Sequence, residues 1–128
     1  MVNVLVIIPT YNESENITAL LSRLNGVRDE LSSSYKIDIL IVDDNSPDKT
    51  IDTARSINIE NISILSKSMK GGIGPAYLAG FDLGLKNDYQ YFVQMDADLS
   101  HMPEQLEKLL TVASSKSLVI GTRWMPGG

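Results

Sequence analysis

Apolar positions in this chain follow two different spacings. Five short runs are largely apolar: Val2 to Ile8, Ile37 to Val42, Ile62 to Leu65, Tyr91 to Val93 and Leu118 to Ile120. Near-continuous runs of β-branched residues and leucine are the pattern of strands covered on both faces. Between the runs, apolar residues recur at helical spacing. Ile17, Leu20, Leu21, Leu24 and Leu31 form one stripe, Ile51, Ala54 and Ile57 a thinner one, and Leu106, Leu109, Leu110 and Ala113 another. A further helix is predicted from about Pro75, with Ala76, Tyr77, Gly80 and Gly84 on one face. Glycine costs a helix roughly 1 kcal/mol against alanine, so glycines kept there predict close approach to a sheet.

Local signals set the expected boundaries. Pro9 is expected to close the first strand. Asn12 followed by Glu15 resembles a capping box at the start of the first helix. Ser32 to Ser34 reads as a loop, Pro47 as the opening of the second helix, and Pro103 with Glu104 as the opening of the last. Strands and helices thus alternate five times. That order predicts an α/β fold, three layers deep (α/β/α), with a mainly parallel sheet. No repeat or linker interrupts it, so residues 1–128 are read as a single domain.

The polar residues between the runs are not scattered. Tyr11, Asn12 and Glu13 follow the first strand, Asp43 and Asp44 the second, Asp96 and Asp98 the fourth, and Arg123 the fifth. Open parallel sheets bind ligands outside the carboxyl ends of their strands, so these residues share the productive edge. Asp96 and Asp98 stand one residue apart. In extended backbone, side chains at i and i+2 point the same way, which would bring both carboxylates to one point. Close carboxylates repel unless a cation or donors lie between them. A hard divalent ion suits them, and such ions commonly share their shell with substrate phosphates. A solvated turn with two surface acids is the competing reading of this pair alone. Tyr11 offers an aromatic face for a base. Asp44 and Glu13 offer acceptors for base N–H groups or ribose hydroxyls, and Arg123 a fork for phosphate or carboxylate. Taken singly, Tyr11 packing on a loop, Asp44 capping a helix and Arg123 in a surface ion pair are the better accounts. Taken together, they describe a site for a nucleotide diphosphate with a divalent ion.

Composition narrows the field. The 128 residues are 43% hydrophobic and 21% charged, ordinary for a soluble globular domain with a core of its own. The net charge of −5 argues against non-specific nucleic-acid binding and gives no attraction to anionic membranes. No cysteine is present, so there is no disulfide framework or thiolate metal site. No apolar run approaches a membrane span. Gly72-Ile73-Gly74-Pro75 follows the third strand and matches neither the dinucleotide fingerprint nor the phosphate-binding loop, so it reads as helix entry or a turn closing on substrate. His101 is the lone histidine and lacks a second nitrogen partner for a metal.

Five motifs occur in order: Pro9-Thr10-Tyr11-Asn12-Glu13, Val42-Asp43-Asp44-Asn45-Ser46-Pro47-Asp48, Gly72-Ile73-Gly74-Pro75-Ala76-Tyr77, Met95-Asp96-Ala97-Asp98-Leu99-Ser100-His101 and Gly121-Thr122-Arg123. Together they resemble family 2 glycosyltransferases of the GT-A fold, and within them the dolichol-phosphate and polyprenol-phosphate mannose synthases. The resemblance implies the nucleotide-binding, Rossmann-like half of a GT-A domain. It implies nucleotide-sugar contacts at Pro9, Tyr11, Glu13, Val42, Asp44, Asp96, Ala97, Asp98 and Arg123, with Mg²⁺ or Mn²⁺ at Asp96 and Asp98. Asp98 and Arg123 carry the implied catalytic roles. Ser100 stands where some members have a metal-binding Gln, and Trp124 where an aromatic residue is usual.

The implied reaction is inverting transfer of a hexose, mannose from GDP-mannose, to a polyprenyl or dolichyl monophosphate. The implied location is the cytoplasm, peripheral at the cytosolic face of a membrane. Family catalytic domains continue past Gly128, so a C-terminal segment or membrane-anchoring partner is expected to complete the enzyme. The alternatives are a family 2 enzyme with another nucleotide sugar or acceptor, and a nucleotide-sugar-binding fragment without turnover. A phospho-accepting receiver domain fits poorly. Its acidic pair would follow the first strand rather than the second, and its last strand would end in lysine rather than Thr122-Arg123.

Overall fold

The computed structural model describes residues 2–44, 46–59, 62–66, 80, 82, 84–98, 103–112 and 118–120. In chain order the elements are β1 (Val2–Thr10), α1 (Ile17–Leu31), β2 (Tyr35–Asp43), α2 (Thr50–Ser56), β3 (Ile62–Ser66), β4 (Tyr91–Gln94), a 3-10 turn (Pro103–Gln105) running into α3 (Leu106–Val112), and β5 (Leu118–Ile120). Gly80, Asp82, Gly84 and Leu85 are helical and precede β4. The five strands form one sheet in the order β3-β2-β1-β4-β5, and every neighbouring pair is parallel. This is the α/β architecture that the alternation of runs predicts.

The continuous apolar runs bury both faces of the sheet. One face presents Val4, Val6, Ile8, Ile37, Ile39, Ile41 and Val93, and α1 covers it with Ile17, Leu20, Leu21, Leu24, Val27 and Leu31. Ala54 from α2 and Leu106 and Leu110 from α3 extend the same cluster. Each fully buried Leu or Ile contributes about 1.5–3 kcal/mol relative to exposure, so this face holds most of the stability. The other face presents Leu5, Ile7, Leu40 and Val42, with Leu65, Tyr89 and Phe92 packed beside them. Here the glycine expectation is met. A Cβ on Gly80 would stand 2.7 Å from Ile7 Cγ2, and one on Gly84 2.6 Å from Phe92 Cε1 and 2.7 Å from Leu5 Cδ2. Only glycine allows the helical backbone so near the sheet.

Three boundaries differ from expectation. Pro9 does not close β1, which continues to Thr10 paired with Asp43. The Ile7 carbonyl accepts from Met95 N–H at 3.0 Å, whereas the Thr10 carbonyl accepts from Asp44 N–H at 3.0 Å. Strand residues alternate between neighbours, so Pro9 shares the β4 side with Ile7. The β1–β4 ladder ends at Ile7–Gln94, and the missing proline N–H leaves no ladder bond unmade. The capping-box reading of Asn12 and Glu15 fails: α1 starts at Ile17 with Asn16 at its N-cap position, and the Asn16 side chain makes no capping bond to the helix backbone. Instead the Glu13 carbonyl accepts from Asn16 N–H at 3.0 Å and Ile17 N–H at 2.9 Å. Pro47 does not open α2, which starts at Thr50 after Lys49 in the left-handed region (φ 65°). The predicted helix start at Pro75 with Ala76 and Tyr77, and Ala113, lie outside the described residues.

Candidate nucleotide-sugar site

The carboxyl edge of the sheet is staggered. β1 and β2 pair to Thr10 and Asp43, but β1 and β4 stop at Ile7 and Gln94. The chain order also reverses between β1 and β4, the place where open α/β sheets bind ligands. The pairing of β4 therefore ends early, and Met95, with its N–H on the Ile7 carbonyl, leads into the turn at Ala97 and Asp98. Met95 and Ala97 anchor this turn, 2% and 3% exposed in the main core. Asp96 is half-buried between them, and Asp98 is exposed. The strand ends at Gln94 and Ala97 and Asp98 are in a turn, yet burial still alternates, with Met95 and Ala97 buried and Asp96 and Asp98 the more open pair.

The two carboxylates nonetheless share an electrostatic neighbour. The Glu13 carboxyl is held above its ordinary range. Partial burial is the main cause, and the negative charges of Asp98, Asp48 and Asp96 add to it, against a lowering hydrogen bond from Asn16. The Asn16 Nδ2–H donates to Glu13 Oε2 at 3.3 Å. Glu13 thus lies within electrostatic reach of Asp96, Asp98 and Asp48, where negative charge has accumulated.

Beneath them lies a network that the sequence analysis did not foresee. Asp43, 1% exposed, accepts from Thr10 Oγ1 at 2.6 Å, Ser46 Oγ at 2.6 Å and Ser46 N–H at 2.9 Å. Ser46 Oγ in turn accepts from Asn12 N–H at 2.9 Å. Asp48 accepts from Ser14 N–H at 3.1 Å, Ser14 Oγ at 2.9 Å, Thr50 N–H at 3.1 Å and the Thr50 hydroxyl. Thr50 Oγ1 accepts from Glu13 N–H at 3.0 Å. Burial alone would raise the Asp48 pKa, but the bonds from Thr50 and Ser14 outweigh it and hold this carboxyl below its usual range. The spacing Asp43-x-x-Ser46 and Asp48-x-Thr50 is the available sequence signal, since Asp side chains bond backbone two or three residues on.

Of the residues singled out beforehand, the edge brings together Pro9, Tyr11, Glu13, Val42, Asp44, Asp96, Ala97 and Asp98. Tyr11 is exposed (37%), Val42 fully buried, and Asp44 3% exposed with its N–H on the Thr10 carbonyl. Gly72 to Tyr77, Ser100, His101, Arg123 and Trp124 lie outside the described residues. Among the described residues no three acidic or histidine side chains form a metal-holding group. The donor set still fits Mg²⁺ or Mn²⁺, because Mg²⁺ is usually bound by one or two carboxylates and completed by phosphate oxygens and water.

With this geometry in view, comparison with known proteins is decisive. The sequence profile of glycosyl transferase family 2 matches residues 5–128. The chain belongs to glycosyl transferase family 2. It is 48% identical over 127 residues to the undecaprenyl-phosphate mannosyltransferase of Micrococcus luteus, covering 98% of this chain and 50% of that protein. It is 43% identical over 128 residues to the polyprenol monophosphomannose synthase of Mycolicibacterium smegmatis, covering 97% and 46% respectively. The chain spans about half the length of these curated relatives. In fold, this family 2 chain resembles the mannosyltransferase PcManGT of Pyrobaculum calidifontis, solved with GDP-Man and Mn²⁺. The TM-score is 0.60 at 23% identity, over 74% of this chain and 27% of that one.

Proposed function

We propose that this chain supplies the donor-binding part of a polyprenyl-phosphate mannosyltransferase that takes mannose from GDP-mannose and passes it, with inversion, to a polyprenyl or dolichyl monophosphate. The observation that carries this reading is the 48% identity to an undecaprenyl-phosphate mannosyltransferase over nearly the whole chain. The carboxyl-edge arrangement of Glu13, Asp44, Asp96 and Asp98 supports it chemically. In this reading the base lies against Pro9, Tyr11 and Val42, and Asp44 and Glu13 accept from its N–H groups or from ribose hydroxyls. Asp96 and Ala97 border the nucleotide sugar, and Asp96 and Asp98 hold the divalent ion. That ion, when bound, offsets negative charge on the departing diphosphate. Arg123 is assigned to the same diphosphate.

The acceptor explains why no base is needed. A phosphate monoester has its second pKa near ~6 and is largely a dianion at neutral pH. Its oxygen attacks the anomeric carbon directly as the bond to the diphosphate breaks. A sugar hydroxyl acceptor would instead need a group to take its proton. No helix among the described residues is long and apolar enough to cross a membrane. In this reading the protein meets its lipid acceptor as a peripheral protein on the cytosolic face, through a further segment or an anchoring partner.

Calorimetric titration with GDP, GDP-mannose and UDP-glucose, each with and without Mg²⁺ or Mn²⁺, tests the reading. Metal-assisted binding that favours guanine ligands and fails in Asp98→Ala is expected. Preference for UDP-glucose would keep the family and replace the donor. Turnover with polyprenyl phosphate is the second stage, and GDP-mannose binding without product would reduce the chain to a nucleotide-sugar-binding unit.

A further inference from the structure

We infer that Asp43 and Asp48 are positioning residues: two carboxylates that touch no substrate and set the geometry of the donor site by pinning the loop after β1 to the loop after β2. The inference rests on the proposed donor site at Tyr11, Glu13 and Asp44. Adjacent acids in such a motif invite assignment to the ligand, but the hydrogen bonds assign these two elsewhere. Asp43 is 1% exposed, and both its oxygens accept from donors of the protein, three in all. Asp48 accepts four bonds from Ser14 and Thr50, and each of its oxygens serves one of them.

What they hold is specific. Asp43 fixes the Thr10 and Ser46 hydroxyls, and Ser46 passes the constraint to Asn12 N–H. Asn12 has φ of 57°, the left-handed conformation that turns the chain sharply between Tyr11 and Glu13. Asp48 fixes Thr50, and Thr50 passes the constraint to Glu13 N–H. Thr10 also receives Asp44 N–H on its carbonyl. The backbone on either side of Tyr11, and at Glu13 and Asp44, is thus tied to one of two buried or half-buried bonding centres. A charged acceptor is the fitting centre, because charge-assisted bonds are shorter and roughly twice as strong as neutral ones. Two hydroxyls relay the constraint, each donating to a carboxylate while accepting a backbone N–H. Either relay can be cut while its carboxylate stays in place.

The test uses Ser46→Ala and Thr50→Val, which remove the relays with little change of volume, and Ser46→Thr, which keeps a hydroxyl. GDP with Mn²⁺ is titrated into each, and the dissociation constant is read separately from the stoichiometry. Each cut strands one backbone N–H and one carboxylate bond, so Kd is expected to rise about tenfold. Stoichiometry should stay at that of the unaltered protein, and Ser46→Thr should bind within about twofold of it. A merely structural role would lower the bound fraction and leave Kd unchanged, which would overturn the inference. So would unchanged Kd and stoichiometry in both variants, while the donor site would stand. If the unaltered protein binds neither GDP nor any nucleotide sugar, the proposed function itself fails and the inference falls with it.

Discussion

Gly84→Ala and Gly26→Ala make the same chemical change in two helical settings, and the structure predicts opposite signs. Alanine in place of helical glycine gains roughly 0.5–1 kcal/mol through lower unfolded-state entropy and better helix propensity. At Gly26, on the exposed side of α1, a Cβ meets nothing within 4 Å, so that gain should appear in full. At Gly84 the new Cβ falls 2.6 Å from Phe92 Cε1 and 2.7 Å from Leu5 Cδ2. Carbon atoms pack best at about 3.5–4.0 Å, so roughly 1 Å must be found on two sides. Leu5 and Phe92 are register partners on adjacent strands, and Leu5 is 4% exposed, so neither can yield alone. Overpacking of this kind costs about 1–3 kcal/mol. Two simultaneous contacts place the site at the upper end, for a net loss of about 2 kcal/mol. Urea unfolding followed by circular dichroism reads the difference. With m near 2 kcal/mol per molar, the Gly84→Ala midpoint should fall by about 1 M. The Gly26→Ala midpoint should rise by about a third of that. A Gly84→Ala protein stabilised like Gly26→Ala would refute the packing of this helical segment on Leu5 and Phe92.

Three further outcomes are expected. Leu20→Ala removes a fully buried side chain from the larger core and should cost about 2–5 kcal/mol in the same urea assay. Asp98→Ala removes a negative charge that helps raise the Glu13 pKa, so the Glu13 carboxyl carbon, followed by NMR without added metal, should titrate at lower pH than in the unaltered protein. Asp48 is held below its ordinary pKa in the folded state, so its contribution is complete above the unfolded value, about 3.9, and is lost as pH falls through the lower folded value. In Asp48→Asn the urea midpoint should be lower at pH 6 and decline less between pH 6 and pH 3; an unaltered acid limb would show that Asp48 is not so held.

The sheet was legible because strands buried on both faces must be apolar at almost every position, and nothing else in a short chain looks the same. Gly80 and Gly84 were legible for a related reason: a residue that weakens its own helix is kept only where space demands it. The carboxyl edge was legible as a set of residues. Its internal geometry was not. The alternation expected for Asp96 and Asp98 persists in their burial, but β4 ends at Gln94, and the buried Met95 and Ala97 that carry it into a turn are not marked in the sequence. Pro9 was read as a terminator because its missing N–H is visible in sequence, whereas the side of the strand it faces is not. Asn12 with Glu15 looked like a cap. The true partners of that loop, Ser46 and Thr50, lie 34 and 37 residues away, beyond any local pattern. Asp43 was grouped with the ligand-binding edge and Asp48 was given no role, because an acid that binds protein donors and one that binds a ligand are spelled alike.

The two neighbours of β1 lie at very different distances along the chain, which predicts an order of folding. The contact between Thr10 and Asp43 closes 33 residues, whereas that between Asn3 and Gln90 closes 87. Loop-closure entropy grows as (3/2)RT ln n, so the second closure costs about 0.9 kcal/mol more than the first. It also waits on residues synthesised later. The β1–α1–β2 unit, with the clamped loops that carry Tyr11, Glu13 and Asp44, can therefore assemble while the β4 flank of β1 is still an open edge. Arrival of β4 covers that edge and delivers Asp96 and Asp98 in the same event. The two parts of the candidate site are therefore expected to assemble at different stages, with Asp96 and Asp98 joining only when β4 pairs with β1.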